Sequence, residues 1–160
     1  MRVTDLLRDD HQRVHNLFLE LEATSAGEAQ RRQDLLDTIG DELEIHAQVE
    51  EEVVYPAFRS VSRRIDDSVH GHQHMRSVIS AVQGEDPGSP EFHDRVLQLK
   101  QTVLVHVLEE ESGVFLDAAH LGLDELERLG RQVEERKEAL RTSLLQRGKR
   151  AVKQAAQKIA

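Results

Sequence analysis

There is no cysteine among the 160 residues. That removes disulfides, thiolate catalysis and cysteine-based metal sites together. Any metal has to be held by His, Asp, Glu, Tyr or water. Tryptophan is also absent and aromatics make up only 3% of the chain, so the core must be built from Leu, Val, Ile and Ala. Such a core suits packed helices better than a β-sandwich. Three prolines and nine glycines leave room for long uninterrupted helices. No run approaches the roughly 18 apolar residues that span a bilayer. Met1–Asp5 leads straight into a polar amphipathic segment, with no basic n-region and apolar h-region of a signal peptide. These absences predict a cytoplasmic protein with no membrane partner.

What the chain has in quantity is charge. Charged residues are 32% of it and the formal net charge is −9, which argues against nucleic acid as the main partner. The distribution is uneven. Arg141, Arg147, Lys149, Arg150, Lys153 and Lys158 fall in the last 20 residues with no acid among them, so the rest of the chain lies near −15.

Hydrophobic spacing predicts an all-α protein. A first helix opens near Thr4 and carries Leu7, His11, Val14, Phe18 and Leu21 on one face. Ser25 and Glu28 form a capping-box pattern for a second helix, about Glu28 to Arg59, with the stripe Ile39, Leu43, His46, Glu50 and Val53. Pro56 near its end predicts a kink or a stop. A third helix follows Asp66–Ser68 and places His70, His74, Val78 and Ala81 together. Its pitch puts His72 roughly 160° from His74, on the solvent side. Gly84-Glu85-Asp86-Pro87-Gly88 is a turn, and Ser89-Pro90-Glu91 a strong helix start. The fourth helix runs to about Ala118 with Val96, Leu99, Val103, His106 and Glu110 aligned. Asp124 and Glu127 open a fifth. The expected architecture is an antiparallel up-down four-helix bundle over 1–120. A C-terminal helix and basic tail over 121–160 pack on the bundle or extend from it.

Two of these stripes contain His-x-x-x-Glu, at His46–Glu50 and His106–Glu110. A carboxylate on a core-facing stripe is costly unless it is paired, protonated or bound to a metal, several kcal/mol each against a net stability of roughly 5–15 kcal/mol. Each bundle helix also turns a His inward: His11, His46, His74 and His106. With Glu50 and Glu110 they make six candidate ligands. His70, four before His74, is a seventh candidate, and Tyr55 an eighth if Pro56 rotates it off its ideal-helix direction. Asp10 and His15 flank the first histidine. Glu51, Glu52, Glu109 and Glu111 are expected in solvent or as partners of the ligand rings. Imidazole with carboxylate suits iron, manganese, zinc or copper. The Glu-x-x-His pairs of ferritin-like bundles, the zinc-protease His-Glu-x-x-His, a nucleophile elbow and a phosphate-binding glycine loop are all missing.

Asp10-His11, His46-x-x-x-Glu50-Glu51 running to Tyr55-Pro56, His74, and His106-x-x-x-Glu110 together resemble the hemerythrin-like, HHE cation-binding family, in its bacterial branch. The likeness covers about residues 4–118, and the fifth helix is similar to a tail found in bacterial members. The resemblance implies a bundle around a non-haem di-iron centre with an oxo or hydroxo bridge. It implies His11, His46, Glu50, His74, His106 and Glu110 as iron ligands, with Glu50 and Glu110 as bridges. Oxygen carriers of the family have His-x-x-x-His on the third helix, which His70 and His74 match, and His-x-x-x-x-Asp on the fourth, where this chain has Glu111. The expected function is therefore reaction with O2, hydrogen peroxide or NO, including catalase-like peroxide decomposition, rather than simple oxygen carriage. The alternatives are an iron- or oxygen-sensing module without turnover and a metal-free structural bundle.

Overall fold

The structure, a computed structural model, describes residues 1–159, and Ala160, at the end of the expected tail, lies outside the described residues. Every regular element among the described residues is helical. The α-helices are α1 (Val3–Glu22), α2 (Ala29–Val49), α3 (Tyr55–Phe58), α4 (Ile65–Gln83), α5 (Pro90–Glu109), α6 (Phe115–Ala118) and α7 (Leu123–Ile159). Two π-helical segments, Glu50–Val54 and Glu110–Val114, join α2 to α3 and α5 to α6. Four rods thus form an antiparallel bundle, and α7 packs along α1, α2 and the first π segment. Among the described residues no helix is long and apolar enough to cross a membrane.

The helix starts follow local chemistry. Ser89 Oγ accepts a hydrogen bond from the Phe92 N–H at 3.1 Å and Pro90 occupies the first turn of α5, as its sequence requires. At α2 the Glu28 carboxylate accepts from the Ser25 N–H at 2.8 Å, but the helix begins one residue later than expected, at Ala29. Only that half of the capping box forms. α1 begins at Val3, so Thr4 lies inside the first turn, buried, instead of capping it.

Apolar residues form two clusters at opposite ends of the bundle. One contains Val3, Leu7, Val54, Phe58, Ile65, Val114 and Ala118, closed by Leu126, Leu129 and Val133 of α7. The other contains Val14, Phe18, Leu36, Ile39, Leu43, Met75, Val82, Phe92, Leu99 and Val103. Each rod contributes to both clusters, and between them each buries polar groups: His11, His46 with Glu50, His72, and His106 with Glu110. The core is therefore crossed by one polar layer.

α7 begins after Gly122, whose φ of +84° suits glycine. A methyl group at Gly130 would run into the Met1 carbonyl oxygen, so glycine there lets the N-terminus and α7 lie against each other. From Leu145 to Ile159 every residue of α7 is exposed.

Candidate metal centre

α4 presents a different face from the one expected. Its buried residues are Ile65, Ser68, His72, Met75, Val78 and Val82, spaced by threes and fours. His72 is fully buried, whereas His70 and His74 are exposed. The correction has a physical reason. Val78 fits both faces, but the face through His74 also collects Asp67 and Ser77, while the face through His72 collects Ile65, Met75 and Val82. The His70–His74 spacing carries a likeness that the apolar pattern does not support.

The layer is built around two carboxylate oxygens. Glu110 Oε2 has three imidazole Nε2 atoms about it, from His11 and His106 at 3.3 Å and His46 at 3.9 Å. Glu50 Oε2 has His72 at 3.0 Å, His46 at 3.3 Å and His106 at 4.0 Å. His46 and His106 are shared between the two. One ligating atom from each of His46, Glu50, His106 and Glu110 falls within 4.8 Å of the others. The structure thus brings His11, His46, Glu50, His106 and Glu110 of the expected set together, and adds His72 in place of His74.

The outer face of the rings fixes their tautomers. Glu111 Oε1 accepts from His11 Nδ1–H at 2.7 Å, Glu51 Oε1 from His72 Nδ1–H at 2.8 Å, and Asp10 Oδ2 from His46 Nδ1–H at 3.2 Å. A carboxylate only accepts, so a proton sits on Nδ1, and when the ring is neutral, as a metal ligand must be, its Nε2 lone pair points inward. His11 Nε2 and His46 Nε2 lie 3.3 Å apart, and Glu50 Oε1, Glu110 Oε2 and His106 Nε2 are buried with no hydrogen-bond partner. Inward lone pairs facing two carboxylates repel one another unless protons or a cation lie between them. The donor set and its orphaned atoms fit a metal ion.

Without a metal, protons do this work. Burial pulls the His46 pKa down, but the charge of Glu50 and hydrogen bonds to Asp10, Glu110 and Glu50 outweigh it and hold it well above the ordinary imidazole value. His72 is raised too, burial being overcome by Glu50 and Glu51. Burial would raise Glu110, yet the charge of His106 and contacts with His106, His11 and His46 hold it well below the carboxylate range.

Tyr55 reaches the layer from above Glu50. In an α-helix a residue five on would lie about 140° round from Glu50. The π segment, with the Tyr55 N–H bonded to the Glu50 carbonyl, stacks the two residues instead. The Tyr55 hydroxyl donates to Glu110 Oε1 at 2.7 Å and lies 3.1 Å from Glu50 Oε2. Burial and the two carboxylates raise its pKa strongly, so it serves as a proton-bearing donor.

Lys137 of α7 was not anticipated. It is almost fully buried, and its ammonium donates to Asp10 Oδ1 at 2.6 Å. Asp10 in turn holds His46, and its pKa is lowered because His46 and Lys137 outweigh its burial. The signal in the sequence was a lysine on the apolar stripe Val133-Lys137-Leu140.

The site is repeated within the chain. His46 and His106, Glu50 and Glu110, Glu51 and Glu111, and Tyr55 and Phe115 are each 60 apart, and His11 and His72 are 61 apart. The geometry repeats as well. The His11–His46 ring centroids are 4.8 Å apart at 59°, and the His72–His106 centroids 4.7 Å apart at 58°. Phe115 stacks on His11 as Tyr55 stacks on His72.

Over 117 residues the chain is 37% identical to a protein named DNA nickase from Nostoc sp.; the match takes in 72% of this chain and 33% of that one. The chain thus spans about a third of that relative's length. A crystal structure of a hemerythrin HHE cation-binding domain-containing protein from Mycobacterium kansasii superposes with a TM-score of 0.82 at 23% identity, covering 91% of this chain and 90% of that one, and it shares the fold. Residues 2–118 match the family model described as the hemerythrin HHE cation binding domain, and the chain belongs to that family.

Proposed function

We propose that the polar layer is a non-haem di-iron centre that reacts with O2, hydrogen peroxide or NO, with His11, His46, Glu50, His72, His106 and Glu110 as its ligands. One observation carries this reading: two fully buried carboxylates surrounded by inward-facing Nε2 atoms whose outer nitrogens are mostly committed to acceptors. Two carboxylates among four imidazoles, with His46 and His106 shared between them, suit a pair of ions better than one. Iron held there supplies the redox change that these small oxidants require. The chain's own part is to orient and exclude. Asp10, Glu51 and Glu111 keep the rings aimed inward, and the two apolar clusters keep bulk water away. The Tyr55 hydroxyl holds a proton beside Glu110. Manganese or zinc would satisfy the same donors, so metal identity is the first measurement. About two irons per chain after anaerobic ferrous reconstitution, with peroxide consumed faster than by free iron, supports the proposal. Zinc alone, or no turnover, rejects the oxidant chemistry.

The contact from Lys137 through Asp10 to His46 favours a second reading, a sensing module in which the site's state is passed to α7 without turnover. The relative named DNA nickase makes DNA the partner to try first, because the exposed end of α7 carries Arg147, Lys149, Arg150, Lys153 and Lys158. Salt-dependent duplex binding that changes with metal content would support this reading, and none at low salt would reject it.

A further inference from the structure

The internal repeat fails at one place beside the layer. Asp10 precedes His11 and holds the outer nitrogen of His46. The residue preceding His72 is Gly71, which has no side chain. His106, the counterpart of His46, is nine-tenths buried, and its Nδ1 has no partner among the described residues. A Cβ added at Gly71 would stand 3.3 Å from that nitrogen. The two halves also differ in cover. α7 lies over α1 and α2, and Lys137 seals Asp10 in place. Between α4 and α5 there is instead an open groove of about 280 Å³, lined by Gly71, His74, Gln101, Thr102, His106 and Glu109 among others. An imidazole that ligates through Nε2 carries its proton on Nδ1 and needs an acceptor there. On His46 that acceptor is a carboxylate of the chain.

We propose that the notch at Gly71 is a binding site for a small exogenous carboxylate of formate or acetate size, one oxygen of which accepts from His106 Nδ1–H as Asp10 does from His46. The inference rests on the reading of the layer as a metal site, because that reading sets the His106 tautomer. The groove is lined by the polar side chains of His74 and Gln101, the Thr102 hydroxyl being committed to the Gln98 carbonyl, and the Glu109 carboxylate in the same lining opposes larger or doubly charged anions. Gly71 and His106 both line this groove, and a side chain at 71 would close on the nitrogen. A bound carboxylate here would act on His106 from outside and leave the inner face of the layer untouched.

The test is a formate titration of 15N-histidine-labelled protein by NMR, with and without zinc, against chloride at equal ionic strength. Zinc content, measured by elemental analysis, reports separately on the metal reading. The expected result is a saturable shift of His106 Nδ1 with His46 unmoved. In Gly71→Asp, which carries its own carboxylate, the affinity for formate should fall at least tenfold. Gly71→Ala, a smaller change, should weaken it in the same direction and serves if the aspartate variant does not fold. No saturable shift in either form means that only water reaches the nitrogen, and overturns the proposal whatever the zinc content. A shift that survives both substitutions puts formate elsewhere and overturns it as well.

Discussion

Tyr55 and Phe115 occupy matching places, five residues after Glu50 and Glu110, and each stacks on an outer histidine of the other half. Only Tyr55 carries a hydroxyl, and it donates across the layer to Glu110 Oε1. The repeat is thus chemically one-sided. Tyr55→Phe should keep the fold and the metal content but leave a buried carboxylate oxygen without its donor. The expected cost in the metal-free protein is about 1–3 kcal/mol, read by denaturant titration. Unchanged stability would show that this hydrogen bond is replaced by another.

His72 and His74 make a direct pair of tests. His72→Ala should lower metal content sharply, because it removes an imidazole 3.0 Å from Glu50 Oε2. His74→Ala should leave metal content unchanged, since that ring is exposed. The reverse pattern in elemental analysis would refute the assignment of the α4 ligand.

The metal-free protein should be most stable between the ordinary carboxylate and imidazole values, 4.5 and 6.5. The raised pKa values of His46 and His72 give stability that is complete below 6.5 and is lost as pH rises through their folded values. The lowered pKa of Glu110 gives stability present above 4.5 and lost as pH falls through its folded value. Metal replaces the protons, so loaded protein should not weaken above pH 6.5. Melting temperatures of both forms between pH 4 and 9 check this. A metal-free form that gains stability above 6.5 contradicts it.

Lys137→Met should destabilise the protein by less than the roughly 3–5 kcal/mol of a buried charge left wholly unpaired, because Asp10 keeps its contact with His46. Asp10→Asn in the same chain should recover part of the loss. Additive effects in this double-mutant cycle would mean that the pair does not interact.

Gly130→Ala should loosen α7 from the N-terminus, because its methyl group meets backbone rather than a side chain that can turn aside. Proteolysis within α7 is the readout, and wild-type resistance would refute the close approach.

Much of this was legible from spacing. The stripes of the first, second and fourth rods, the turn at 84–88 and the start at Ser89 followed from period and capping chemistry. His46, Glu50, His106 and Glu110 stood out because carboxylates rarely sit on apolar faces. α4 was misread because a histidine pair outweighed Ile65, Met75 and Val82 in choosing its face. Tyr55 was harder still. Its direction depends on a π turn, and ordinary helical pitch cannot anticipate one. Lys137 was hidden because a lysine on a stripe reads as a solvated stem until its partner, 127 residues earlier in the chain, is known.

The layer divides the apolar interior into a cluster of 15 buried residues and another of 13. The two ends share the rods but little side-chain contact of their own. What joins them is a sheet of mutually neutralising ions, a mortar that pH can soften and a metal can set. Loaded protein should therefore melt as one block. Stripped and at high pH, it should come apart in two stages, and the end lacking the buttress of the fifth helix should go first.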